Sequence, residues 1–94
     1  MQPKARQVVY EQRFMDELKS FVKDDESIDE FCMGAVEGLS RNPHIGIRIS
    51  KSSSVWAILT NESVSWLPPM IIFYVFDNTS VNILSIRKTF RAKS

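Results

Sequence analysis

The chain is predicted to be α+β, a sheet covered on one face by a helical hairpin, from three features of its sequence. Two stretches within the first forty residues repeat apolar side chains at helical spacing. After Pro43 the pattern changes to short apolar runs and alternations separated by polar turns, as strands require. A brief β-prone segment, Gln7-Val8-Val9-Tyr10, stands ahead of the first helix. The predicted order is therefore β-α-α-β-β-β-β in two layers.

Each element has a local reason. Phe14, Leu18, Phe21 and Val22 fall at i, i+4, i+7 and i+8, one apolar stripe on a helix from about 12 to 23. Asp24-Asp25-Glu26 reads as a solvated acidic turn, and Ser27 followed by Glu30 as a capping box that opens a second helix. Ile28, Phe31, Cys32, Ala35, Val36 and Leu39 make its apolar stripe, and Asn42-Pro43 stops it, because the residue before proline is pushed out of helical geometry. Ile45, Ile47 and Ile49 alternate with Gly46 and Arg48, which predicts a strand with one buried face. Lys51-Ser52-Ser53-Ser54 is a polar turn, Val55–Thr60 the next strand, and Asn61–Pro69 a longer loop containing Trp66.

Met70–Phe76 is an unbroken apolar run, of the length expected for a strand buried on both faces. Asp77-Asn78-Thr79-Ser80 supplies turn chemistry, since Asp and Asn bond to their own main chain. Val81–Ile86 resumes a strand and delivers Arg87, Lys88, Arg91 and Lys93 to one end of the sheet, where they suggest a site for something anionic. Short turns join antiparallel neighbours, so the last four strands form a meander. The first strand, separated by two helices, is expected to re-enter beside a late one.

Ninety-four residues give one domain, 1–94, with a basic tail from about residue 88. At 44% hydrophobic and 24% charged the composition is globular. No run approaches the roughly 18 apolar residues that span a bilayer, and the first twelve residues lack the apolar core of a secretion signal. Neither a membrane nor a small-molecule cofactor is expected. The single Cys32 excludes an internal disulfide and suits a reducing cytoplasm, and one Cys with one His does not make a conventional zinc site. The net charge of +1 hides an asymmetry: residues 1–40 hold five Lys/Arg against nine Asp/Glu, residues 41–94 seven against two. Such a separation can yield two electrostatic faces after folding, or ordinary mixed surface charge.

A strand, a helical hairpin ending in L-S-R-N-P-H-I-G (Leu39 to Gly46), a meander, the strand I-I-F-Y-V-F-D (Ile71 to Asp77) and the strand V-N-I-L-S-I-R (Val81 to Arg87) together resemble the RelE/ParE superfamily over roughly residues 5–91. Its members are the toxin halves of bacterial toxin–antitoxin pairs, often described as plasmid stabilisation proteins. The resemblance implies a cytoplasmic toxin neutralised by a cognate antitoxin, with either DNA gyrase or ribosome-bound mRNA as its target, and it allows an oligomer. RelE-like members are mRNA interferases, whereas ParE-like members inhibit gyrase and are not known as hydrolases.

Cleavage of RNA through the 2′-hydroxyl needs a base, an acid for the leaving 5′-oxygen, and cations for the charge that builds on phosphorus. The resemblance puts Arg87 where one nuclease branch has a matching Arg, making it the candidate to stabilise phosphate. That branch's His and Tyr positions fall on Thr89 and Phe90, and Phe90 has no hydroxyl to move a proton. Val55–Thr60 carries no Lys or Arg where a RelE-like strand is normally basic, and Met70 stands where an Arg commonly opens the apolar strand. The acid–base machinery is depleted, so a non-hydrolytic member is expected, with a non-toxic interaction module on the same fold as the alternative.

His44 is the one other candidate acid or base near neutral pH, although a polar loop residue beside Pro43 fits its context too. Arg48, Lys51, Lys88 and Arg91 are candidates for target contact, and equally for plain solvated surface or tail. Trp56, Phe73, Tyr74 and Phe76 have the spacing of core residues, Cys32 that of a buried and inert thiol, and Trp66 the setting of a partner contact.

Overall fold

The computed structural model describes residues 6–60 and 70–88. The chain runs β1 (Gln7–Tyr10), α1 (Gln12–Phe21), α2 (Asp25–Phe31), a π-helical turn (Cys32–Val36), α3 (Glu37–Arg41), a 3-10 turn (Pro43–Ile45), then β2 (Ile47–Arg48), β3 (Trp56–Thr60), β4 (Met70–Phe76) and β5 (Ser80–Lys88). The strands form one sheet in the order β1-β5-β4-β3-β2. As the sequence predicts, β1 re-enters beside a late strand and the other pairs are antiparallel; the strand it joins is β5, to which it runs parallel.

Helices and sheet share one core. Phe14 and Leu18 from α1, Ile28 and Phe31 from α2, and Val36 and Leu39 beyond them meet Met70, Ile72 and Tyr74 of β4 and Val81, Ile83 and Ile86 of β5, all buried. Burying a side chain of this size is worth about 1.5–3 kcal/mol, which makes this face the main source of stability.

Several local expectations are corrected. The second helix starts earlier than Ser27: Asp24 is its N-cap and accepts the Ser27 N–H at 2.9 Å, so the acidic residues form the first helical turn rather than a separate loop. Their carboxylates sit at the positive end of the helix dipole, which favours that start. The helix is also not uniformly α. Its wide turn at Cys32–Val36 contains Gly34, and across it Phe31 and Val36 are both buried at a spacing of five. The inserted turn leaves Cys32 half-buried rather than sequestered.

In the sheet, the isoleucine alternation yields only a two-residue strand, and its isoleucines face outward instead of in. β4 alternates in burial: Met70, Ile72 and Tyr74 are covered, whereas Ile71, Phe73 and Val75 are half-buried. Among the described residues it is therefore covered by helices on one face only. β5 is longer than expected and carries a bulge. Phe73 pairs with Ser85 and Tyr74 with Ile83, leaving Leu84 as the extra residue. β1 accompanies β5 only as far as Ile83, so the edge beyond would be bare. Glu17 of α1 fills it, its carboxylate accepting Ser85 Oγ at 2.6 Å and Ile86 N–H at 3.2 Å.

The β4–β5 turn is closed by Asp77, whose Oδ1 accepts the N–H groups of Thr79 and Ser80 at 2.8 Å each. Those two main-chain bonds come first among the influences that hold its carboxyl below the usual carboxylate range. Arg6 Nε donates to the Asp77 carbonyl at 2.7 Å, tying the chain start to this turn.

Candidate functional site

The strand register assigns Arg87 to the sheet face away from the helices. It sits opposite Ile71, which in turn sits opposite Leu59, and side chains paired across strands share a face. The bulge widens β5 beside it, and the start of α1 approaches the same edge. Together they shape a shallow cleft of about 490 Å³ lined by Glu11, Arg13, Phe73, Leu84, Ser85 and Arg87. Its floor is apolar, from Phe73 and Leu84, and its rim is charged. Arg13 is drawn partly toward Glu17, at 3.6 Å, whereas Arg87 has no carboxylate partner among the described residues. A guanidinium so placed can hold a phosphate or carboxylate through paired N–H donors.

The α1 wall of the cleft is fixed by Glu17. What burial it has pushes its carboxyl upward, but the bonds from Ser85 and Ile86 and the nearby Arg13 outweigh this and hold it below the usual carboxylate range. The ionised carboxylate thus ties α1 to the bulge that carries Leu84 and Ser85.

His44 lies elsewhere. Its ring packs edge-on against Trp56 at 5.5 Å and Phe76 at 4.9 Å, and the rings of Trp56 and Phe76 are 5.3 Å apart. These aromatics border the helix-covered core, and Arg6 lies 5.8 Å over Phe76. Arg87 pairs with Ile71, five residues along β4 from Phe76 and on the opposite face, so about 16 Å of strand and the sheet itself separate the two candidates. One substrate atom cannot meet both.

Arg48 is opposite Trp56 on the helix side, and its guanidinium folds back onto the Ser53 carbonyl at 2.8 Å and the Lys51 carbonyl at 3.2 Å. It staples the turn holding Lys51, three strands from Arg87. Lys88 turns to the helix face, its Nζ 5.3 Å over the Phe21 ring. Arg91, Thr89, Phe90 and Trp66 lie outside the described residues. Of the sequence-picked cations among the described residues, Arg87 alone lines the cleft. Its neighbours there were not singled out, because Glu11, Arg13 and Leu84 carry no motif and are brought in by the helix start and the bulge.

Two further polar groups serve the fold. Tyr74, buried in the core, donates its hydroxyl to the Pro43 carbonyl at 2.6 Å. Burial raises its pKa, with partial relief from the main chain at Gly46. Tyr10, on the exposed side, and the half-buried Cys32 face each other, and burial is the largest cause of the upward shift of both, so neither is an activated nucleophile.

The chain matches no protein-family model, and no curated protein is similar to it in sequence. Solved structures are similar in fold. A chain of the intact E. coli RelBE toxin–antitoxin complex superposes with a TM-score of 0.61 at 18% identity, covering 93% of this chain and 100% of that one. The YoeB dimer from Staphylococcus aureus gives 0.59 at 13% identity, with the same coverage. The fold is RelE-like. In this RelE-like frame the helical hairpin covers one sheet face, and the other carries the Arg87 cleft. Identity this low leaves the chemistry of the cleft to be read from its own residues.

Proposed function

We propose that the chain is the toxin half of a RelE/ParE-like toxin–antitoxin pair, neutralised by a cognate antitoxin and acting on DNA gyrase or ribosome-bound mRNA through the face that carries Arg87. The observation behind this reading is the end-to-end likeness to chains from the RelBE complex and the YoeB dimer, over 93% of the sequence. An arginine without an ion-pair partner among the described residues, set at the edge of an apolar floor, supports a contact surface for an anionic or mixed target.

Within that reading we favour a non-hydrolytic member. Among the described residues the cleft lining holds a carboxylate at Glu11 and guanidinium groups at Arg13 and Arg87, but no His or Tyr to protonate a leaving oxygen. The strand Trp56–Thr60 brings no cation to this face, so charge stabilisation would fall on one corner of it. The apolar character of the rest also suits the second reading, a non-toxic interaction module on the same fold.

Regulated expression in a bacterial host, followed for growth, mRNA integrity and plasmid supercoiling, tests the proposal. Growth arrest with intact mRNA and altered supercoiling is the expected result. Arg87→Ala should abolish arrest without loss of fold, since an exposed substitution of this kind changes stability by only about 0.5 kcal/mol. Arrest with cleaved mRNA would overturn the non-hydrolytic reading. No arrest from soluble, folded protein would overturn the toxin reading in favour of the module.

A further inference from the structure

Arg13 shares its charge with a neighbour. It stands at the second position of α1, and its Nε lies 3.6 Å from Glu17 Oε2, one helical turn on. That separation is beyond hydrogen-bond range, so the contact is electrostatic only. The Arg13 side chain is 63% exposed, and among the described residues no other carboxylate pairs with it. Glu17 does not need it. The other oxygen of that carboxylate, Oε1, accepts both Ser85 Oγ at 2.6 Å and Ile86 N–H at 3.2 Å, which fixes α1 against β5 without the arginine.

We infer that Arg13 is a second guanidinium of the Arg87 site, held back by Glu17, and that the two arginines clamp a single oxyanion carried on an apolar group. This rests on the reading that Arg87 marks the contact face.

Both arginines line the same cleft, Arg87 from β5 and Arg13 from α1. Ser85 lies between them. It is bonded to Glu17, one turn from Arg13, and it stands two residues before Arg87, about 7 Å along β5. Guanidiniums set around Ser85 can close on one phosphate or carboxylate group, each donating paired N–H bonds. The floor there is Phe73, paired with Ser85, and Leu84, which suits an apolar group attached to the anion.

The surrounding charges limit the ligand to one anionic group. Glu11 on the rim and Glu17 behind Arg13 offset the two arginines, so the cleft has no net positive field to draw a run of phosphates. The same balance makes Glu17 a positioning residue, acting through Arg13. An exposed pair with arginine ahead of the acid at this spacing is weak, so a bound oxyanion can draw Arg13 across. Removing the Glu17 charge should therefore tighten binding, and should do so through Arg13.

Phenyl phosphate and benzoate, titrated separately into the full chain to about 20 mM and followed by the Nε–H resonances of Arg13 and Arg87, test this. In the parent, Arg87 should shift saturably and Arg13 little. In Glu17→Gln, which keeps an acceptor for Ser85 and Ile86, both should shift and affinity should rise about fivefold. In the Arg13→Gln background the same change should give at most about a twofold gain, the part owed to simple loss of repulsion. Circular dichroism checks that each variant is folded. With that coupling present, tighter binding of phenyl phosphate supports the clamp with a phosphate as its anion, and tighter binding of benzoate supports it with a carboxylate. If Glu17→Gln binds no tighter, or gains as much without Arg13 as with it, the inference is overturned, while saturable Arg87 shifts still support the contact face. If neither anion moves Arg87, or binding survives Arg87→Ala, both fail.

Discussion

A methyl group added at Gly46 should be among the most damaging single-atom changes to this protein. Gly46 has an ordinary extended backbone, with φ of −82°, so strain is not the issue. The crowding is steric. A Cβ built there would run into the Tyr74 hydroxyl and stand 2.6 Å from the Ala57 carbonyl oxygen and 3.2 Å from its carbon. The Ala57 contact is with backbone in a paired strand, and Tyr74 is fully buried with its hydroxyl committed to Pro43, so neither neighbour yields easily.

Overpacking of this kind costs about 1–3 kcal/mol, and in a domain of this size that lowers Tm by roughly 5–15 °C. Tyr74→Phe removes the hydroxyl and leaves the Pro43 carbonyl without its donor, a loss of about 1 kcal/mol. Because the same hydroxyl is one of the two obstacles to the new methyl, the double variant should be less damaged than the sum, by at least about 0.5 kcal/mol. The Ala57 carbonyl remains in the way, so recovery is partial. Urea denaturation of the four proteins measures the coupling. A Gly46→Ala protein melting within about 2 °C of the parent, or strict additivity in the cycle, would refute the reasoning.

Glu17 makes stability pH-dependent. Its carboxyl titrates below its usual range in the folded chain, so its contribution is present above about pH 4.5 and is lost as pH falls through the folded pKa. Glu17→Gln keeps an acceptor for Ser85 and Ile86 but not the charge, and should cost about 1 kcal/mol at pH 7 while flattening the loss below pH 5. Chemical denaturation across pH 3–7 that gives parallel curves for both proteins would contradict this. His44→Ala should lower Tm by removing two edge-on aromatic contacts, each worth about 0.5–1.5 kcal/mol, yet leave growth arrest as strong as in the parent. Arrest abolished in folded His44→Ala protein would put His44 in the functional site.

Most of the architecture could be read from periodicity because each helix stripe and each strand run buries a single face. The places where reading failed are those where one residue changes the phase. An extra residue at Leu84 moves Ser85 and Arg87 relative to a plain alternation, and a wide turn at Cys32–Val36 does the same to a helix stripe. Neither leaves a mark in residue type beyond a glycine. The isoleucine alternation failed for a different cause: periodicity reports which side chains share a face, not whether anything covers that face. Arg87 could be placed at the end of the last strand because the apolar run before it is legible. Glu11 and Arg13 join it only through a helix start that no local motif announces.

The pairing of β1 with β5 also governs the order in which the molecule can be made. Gln7 has Ser80 as its partner, so the first strand has no place in the sheet until β5 has been synthesised. Contacts this distant in sequence slow folding, because a long loop must close before they return any stabilisation. Meanwhile Phe14, Leu18, Phe31 and Leu39, whose cover comes mostly from the last two strands, are left on half-built helices. The nascent chain is therefore at its stickiest before β4 and β5 appear, and the Arg87 cleft, which needs the start of α1 together with β5, cannot form before β5 does.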